Sequence, residues 1–370
     1  MSTDVSVKRV FNFSAGPAAL PLSVLQEIQR DMIALPGVGA SILEISHRSS
    51  AFVEIIEDAR NRLVNLLGIP DTHEVVFMQG GARLQNAMIP ANFLTSKDET
   101  ADYVVTGNWG KNSAAEVPFY GVLNKAFDGA EGSFTRLPEA ADLQFSDNAG
   151  YIHFTSNETI HGLQFKQAPA NGDVPLVCDA SSDFLSRPVN ISEYGMIYAC
   201  AQKNAGTAGV TVCIISKELL ERCGDRNPSY LDYAKVAAKD SMLNTPPTFS
   251  IYVTGLVCKW LQEEVGGLEA IEKMNSDKAR LLYDVVDESG GFYVVHAANP
   301  EHRSVMNVVF KMATPELDRK FLDEAAAENL TTLGGHRSIG GIRASIYNAM
   351  PREGVEALAG FMKDFAAANG

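Results

Sequence analysis

The sequence predicts an α/β fold whose mainly parallel sheet is covered by helices on both faces, followed by a smaller α+β domain. Three observations carry that prediction. Short apolar runs alternate with stretches whose apolar residues recur every three or four positions. The runs are apolar throughout rather than alternately polar, which is the pattern of strands buried on both faces. Past residue 265 the order changes, and amphipathic helices mix with shorter strands.

Residues 1–10 are polar and read as loose. Pro21 opens a helix over residues 22–35, with Val24, Leu25, Ile28 and Met32 on one face. Gly37 and Gly39 break it, and residues 41–45 read as a short extended piece leading to Ser46, His47 and Arg48. Residues 51–67 give the clearest helix: Phe52, Ile55, Ile56, Ala59, Leu63, Leu66 and Leu67 share a face, and Gly68 and Pro70 stop it.

From there strands lead into polar turns. Strand 74–78 runs into Gly80, Gly81, Ala82 and Arg83, with a helix over 84–93. Strand 103–106 ends in Gly107, Asn108, Trp109 and Gly110. Strand 151–155 meets Ser156, Asn157, Glu158 and Thr159, and strand 174–178 meets Asp179. Ligands of parallel sheets sit beyond the carboxyl ends of the strands, so these turns are expected to converge. Strands 196–201 and 210–215 flank Lys203, and the second follows so closely that it reads as an antiparallel member. A helix near 252–264 and the pair Gly266, Gly267 close this unit. Beyond it come helices 270–286, 317–329 and 354–368 and strands 292–295, 306–310 and 341–345. The expected division is an N-terminal segment 1–15, a large domain 16–265 and a small domain 266–370. Residues 116–143 give no reading.

The 370 residues carry a formal charge of −14, which argues against a nucleic-acid partner. An anionic substrate must therefore be drawn by a local cluster of cations. The 5 cysteines are odd in number and lack CxxC spacing, as expected of reduced thiols in a cytoplasmic protein. No apolar run approaches the roughly 18 residues of a membrane span, and no metal site is expected.

Between Tyr194 and Ser216, Lys203 is the only lysine, arginine or carboxylate. Gly206, Ala208 and Gly209 leave little space around it. An ammonium held at such a junction loses hydration, which lowers its pKa from about 10.4. A neutral amine facing a cavity is what condensation with an aldehyde requires. Taken alone, a lysine that snorkels out of a turn explains the same pattern. Asp179 ends an apolar strand, where it serves either as a cap for the next turn or as the partner of a buried cation. Trp109, one of 2 tryptophans, sits in a glycine-rich turn suited to stacking on a flat ligand, or to ordinary packing. Gly80, Gly81, Ala82 and Arg83 offer backbone N–H groups to an anion. His47, Arg48, His336, Arg337 and Arg343 are the cations placed to clamp carboxylate or phosphate.

Ordered from residue 11 to residue 351, the segments FNFSAGP, EISHR, GGARLQ, SNETIHG, DASSDFLSRP, YGMIYACAQKN, NTPPTF and GGHRSIGGIRASIYNAMP resemble the phosphoserine aminotransferase family. That family is a class-V branch of the fold-type I transferases dependent on pyridoxal 5'-phosphate (PLP). The resemblance implies a mainly parallel seven-stranded sheet flanked by helices. It makes Lys203 the lysine that binds the PLP aldehyde and Asp179 the partner of the pyridine nitrogen. Trp109 stacks on the ring and Thr159 bonds its phenolic oxygen. Gly81, Ala82, Arg83, Ser181 and Gln202 line the cofactor or its phosphate, and Asn244 and Thr245 reach that phosphate from the other subunit of a homodimer. Arg343 clamps the substrate α-carboxylate, with His47, Arg48, Arg83, His336 and Arg337 around the second anionic group. The implied reaction transfers an amino group between L-glutamate and 3-phosphohydroxypyruvate; in some organisms members of that family also act on 4-phosphohydroxy-L-threonine, and the sequence leaves that activity open. The chain departs from the family pattern at Ala82, Ala205, Thr207 and Val305, none of which removes a chemical group from that reaction. Competing readings are a small-amino-acid:glyoxylate aminotransferase, a cysteine desulfurase (for which Cys223 is the candidate nucleophile) and a non-catalytic anion binder. A nucleotide-binding dehydrogenase is weaker, since no GxGxxG follows the first strand.

Overall fold

In the computed structural model, which describes residues 9–169 and 172–370, seven strands form the central sheet. They are β1 (His73–Met78), β2 (Thr100–Val105), β3 (Val122–Asp128), β4 (Ala149–Thr155), β5 (Leu176–Asp179), β6 (Met196–Cys200) and β7 (Thr211–Ser216). Their spatial order is β1-β7-β6-β5-β4-β2-β3. Strand β7 runs antiparallel to both its neighbours, and the remaining pairs are parallel. The tight return through Lys203 admits no crossover, so antiparallel pairing is the geometry left to β7. Every residue of β2, β5 and β6 is buried, as continuous apolar runs demand of strands covered on both faces.

The helices used below are α1 (Leu22–Asp31), α2 (Ser50–Leu67), α3 (Gly81–Phe93), α4 (Asn108–Ala114), α5 (Ala201–Asn204), α6 (Thr248–Trp260), α7 (Leu268–Asp287), α8 (Pro315–Ala327) and α9 (Arg352–Asn369). Helix α2 begins where the Ser49 side chain accepts the Phe52 N–H, and Gly68 ends it in a left-handed conformation. Its buried face, Phe52, Ile56, Ala59 and Leu63, lies in the same core as α6. Gly255 of α6 admits Ala59 closely: a Cβ there would come within 3.3 Å of the alanine methyl.

Two expectations are corrected, and the stretch without a reading is filled. Helix α1 stops at Asp31, four residues short of position 35. The Asp31 carboxylate is held by the Tyr252 hydroxyl at 2.5 Å and by Arg30, which fixes the end of the helix against α6. Residues 41–45 are a turn and not an extended piece, because the Glu44 N–H donates to Ser41 O and the Glu44 carboxylate accepts the Ser41 N–H. The stretch 116–143 holds β3, an edge strand in which exposed Val122 and Lys125 replace the continuous apolar run of the inner strands. Residues 1–8, expected to be loose, lie outside the described residues.

The smaller unit has an antiparallel sheet of β8 (Val294–Val295), β9 (Asn307–Lys311) and β10 (Ile342–Ser345) in that order. Residues of α7, α8 and α9 share its core. The beginning of the chain joins it. Phe11 and Asn12 pair in parallel with Leu330 and Thr331, and fully buried Phe13 belongs to this core.

Candidate active site

The carboxyl edge of the central sheet assembles the site from five successive turns. After β1, Gly80 and Gly81 both take left-handed conformations and start α3, whose N-terminus has no side-chain cap. A Cβ on Gly80 would stand 2.6 Å from Leu84. The Ala82 N–H points to Cys200 Sγ at 3.0 Å. An uncapped helix N-terminus of this kind attracts an anion through its free N–H groups and its dipole.

After β2, Gly107 leads into α4, which carries Trp109. Glu158, 0% exposed, accepts the Trp109 N–H at 3.3 Å and the Gly110 N–H at 3.0 Å. Gly107 must be glycine, because a Cβ would lie 2.2 Å from the Glu158 carboxyl carbon. After β4, Thr159 is buried and its Oγ1 accepts a hydrogen bond from Lys203 Nζ at 2.7 Å. After β5, the Asp179 carboxylate accepts the Ser181 N–H at 2.9 Å, while Ser181 Oγ accepts the Cys200 N–H at 3.1 Å. After β6, the one-turn helix α5 presents Lys203, with Nζ 5.5 Å from the centre of the Trp109 ring.

Burial drives the Lys203 pKa down; Asp179, Cys200 and Glu158 oppose that shift, and Arg343 adds to it by like-charge repulsion. Burial likewise pushes Glu158 up to about 7, against the pull of the two N–H groups it accepts. The Arg343 guanidinium, on β10, is also lowered by burial. Loop 334–341 crosses from the smaller unit to the larger: His336 Nδ1 pairs with Ser338 Oγ at 2.8 Å, and that oxygen accepts Asn108 Nδ2 at 3.2 Å. His336 and Arg337 thus stand beside the Trp109 turn.

Lys203, Asp179, Trp109, Thr159, Ser181, Gly81 and Ala82 therefore converge, with Arg343 and His336 facing them from the smaller unit. The Gln202 carbonyl accepts the Ala18 N–H at 2.9 Å. Arg83 is exposed on the first turn of α3. His47 is half-buried and Arg48 exposed, the two in contact with each other. Asn244 and Thr245 are exposed, and the Thr245 carbonyl accepts Gln79 Nε2 at 3.0 Å. Among the described residues, no contact within one chain joins His47, Arg48, Asn244 or Thr245 to Lys203. Sequence reasoning missed Glu158 and Cys200 as members of the site. Both were visible only as residues at strand ends, with nothing to mark them as neighbours of the lysine.

These residues fit PLP. They supply a poorly hydrated amine, an acid at the end of the neighbouring parallel strand, an aromatic plate and a helix N-terminus for phosphate. Trp109 Nε1 and Thr207 Oγ1 are buried without protein partners, which suits a pocket lined for a polar ligand.

Comparison with known proteins agrees. The aminotransferase class-V family model matches residues 10–358. A phosphoserine aminotransferase of Rhodopirellula baltica is 53% identical over 98% of this chain and 96% of its own length. That of Chromobacterium violaceum is 52% identical over 97% and 98%. A phosphoserine aminotransferase structure from Bacillus circulans subsp. alkalophilus superposes with a TM-score of 0.95, at 44% identity over 98% of this chain and 99% of that one. A PLP-bound phosphoserine aminotransferase from Trichomonas vaginalis gives a TM-score of 0.89 at 38% identity, covering 96% of this chain and 100% of that one. With the lysine, acid, aromatic plate and helix N-terminus already in place, the chain belongs to the class-V aminotransferases.

Proposed function

We propose that this PLP-dependent aminotransferase passes an amino group between L-glutamate and 3-phosphohydroxypyruvate, giving 2-oxoglutarate and O-phospho-L-serine in serine biosynthesis. The observation that carries this reading is the Lys203 amine, bonded to Thr159 and set over the Trp109 ring in a cleft faced by Arg343. When bound, PLP supplies an aldehyde for the amine and a ring that takes up the electron pair released at the substrate Cα.

The chain's own residues do the rest. Asp179, oriented by the Ser181 N–H, keeps a proton on the ring nitrogen. Trp109 covers one ring face, Thr159 holds the phenolic oxygen, and Gly81, Ala82, Arg83, Ser181 and Gln202 surround the cofactor and its phosphate. Over the cycle Lys203 Nζ would take the proton from Cα of the amino donor and deliver one to Cα of the amino product; burial lowers its pKa, which favours the amine form that accepts a proton. Arg343 grips the α-carboxylate through its planar fork. His336 and Arg337, with His47, Arg48 and Arg83, form the second anion pocket. That pocket serves the glutamate side-chain carboxylate in one half of the cycle and the phosphate in the other, which accounts for the number of cations.

The exposed positions of Arg48, Asn244 and Thr245, with half-buried His47 beside Arg48, suit a homodimer with shared sites, in which Asn244 and Thr245 serve the neighbouring copy. A desulfurase reading finds no support at Cys223: it is buried, and its thiol is pushed up to about 11 by burial. Mixing the cofactor-loaded protein with O-phosphoserine, phosphohydroxythreonine or alanine tests the assignment. O-phosphoserine is expected to bleach the visible absorbance at least tenfold faster than alanine, on the order of what one charged contact contributes. Equal rates would reject the phosphate-selective pocket. Comparing the two phosphorylated amino acids decides whether 4-phosphohydroxy-L-threonine is also a substrate.

A further inference from the structure

Lys278 is a buried ionisable group that the reaction above does not use. It lies on α7, 2% exposed. Its Nζ is 2.8 Å from Tyr347 O, 3.1 Å from Ile346 O and from Met350 O, and 3.3 Å from Asn348 O. An ammonium has three N–H bonds, so these four carbonyls share them. None of the partners is a carboxylate, and burial pulls the group down to about 7. A buried cation is costly unless well bonded, and this one spends its bonds on a single loop.

That loop is where the two units meet beside the site. It follows β10, the strand of Arg343. The Asn348 N–H donates to Asn204 Oδ1 at 2.9 Å, and Asn204 is the residue after Lys203. Asn348 Nδ2 donates to Leu185 O at 2.8 Å, and its own Oδ1 accepts Asn275 Nδ2 from α7 at 2.8 Å. The Tyr347 hydroxyl donates to Ala15 O at 2.9 Å.

We propose that Lys278 is a positioning residue: by gathering the carbonyls of residues 346–350 it sets the spacing between Arg343 and Lys203. The inference rests on reading Arg343 as the substrate clamp. Misplacement of a clamp by about 1 Å can cost up to two orders of magnitude in kcat/KM, so a loop held at four points matters to substrate capture as well as to folding.

The test uses the cofactor-loaded enzyme with Lys278→Met, which keeps the apolar stem and removes the donors. The KM for the amino donor is expected to rise about tenfold with kcat changed less than about threefold. Amide hydrogen exchange at Ile346 and Asn348 is expected to quicken, with cofactor absorbance unchanged. In a chain already carrying Arg343→Ala, adding Lys278→Met should raise KM no further. If Arg343→Ala alone leaves KM at the parental value, the clamp assignment fails, while the exchange data still judge the loop. Parental KM and parental exchange in Lys278→Met, or a lower melting temperature alone, would overturn the proposal. Should Lys278→Met not fold, Lys278→Gln, with two donors left, is expected to show the same split in weaker form, and parental kinetics there overturn it equally.

Discussion

Glu158 sits fully buried under the Trp109 turn, with its carboxyl group pushed up to about 7 by burial. Between about pH 4.5 and 7 the folded chain keeps a proton there that the unfolded chain has released. Stability is therefore lost as pH rises through that window, by up to about 3 kcal/mol at 1.36 kcal/mol per pH unit. Urea unfolding of the cofactor-free protein across this range should show the decline, and Glu158→Gln should flatten it; an identical slope in both proteins would refute the assignment. Lys203→Ala is expected to abolish turnover and the visible absorbance of the loaded enzyme, and retention of that band would remove the lysine from its role. Lys203, Asp179 and Trp109 were legible in the sequence because a charged or bulky polar residue at the end of an apolar strand is chemically conspicuous. Glu158 and Lys278 were not, since what sets them apart is burial by elements far away in the chain.

Among the elements, the junction of β2 and α4 shows how closely the turns are fitted. Gly107 has extended backbone, so its requirement is space alone: a methyl there meets the Glu158 carboxyl carbon. Gly107→Ala is expected to push that carboxylate off the Trp109 and Gly110 N–H groups, costing about 1–3 kcal/mol of stability. It should also weaken cofactor binding at least tenfold, on the order of one charge-assisted hydrogen bond. Tryptophan fluorescence quenching during cofactor titration reads the affinity and urea unfolding reads the stability; parental affinity would show that Glu158 does not hold the plate. The inner strands and α2 were found from their apolar runs and periodicity because burial on two faces favours apolar residues; β2 starts three residues before its reading of 103–106, since it opens with buried polar Thr100 and Asp102. Edge strand β3 escaped for the complementary reason: solvent on one side permits Asn124 and Lys125, and its pattern then resembles that of a loop.

At the scale of the molecule, the reversed strand β7 followed from the close spacing around Lys203, whereas the order of the strands and the proposed sharing of sites with a second copy have no signature in strand or helix patterns. A mixing experiment addresses it. Chains carrying Lys203→Ala and chains carrying Asn244→Ala, inactive or weak alone, should recover about a quarter of parental activity when re-associated in equal amounts, because half the dimers then contain one intact site of two. No recovery would argue that each chain completes its own site. The pairing of Phe11 and Asn12 with Leu330 and Thr331 has a consequence for synthesis. Phe13 leaves the ribosome well before the pocket that receives it, which is made by residues from Ala279 onward. Nascent chains arrested ahead of residue 330 should leave residues 11–13 open to protease, with protection arriving only once Leu330 and Thr331 have emerged. Residues 11–13 thus wait for partners made much later, and they dock only when those partners arrive.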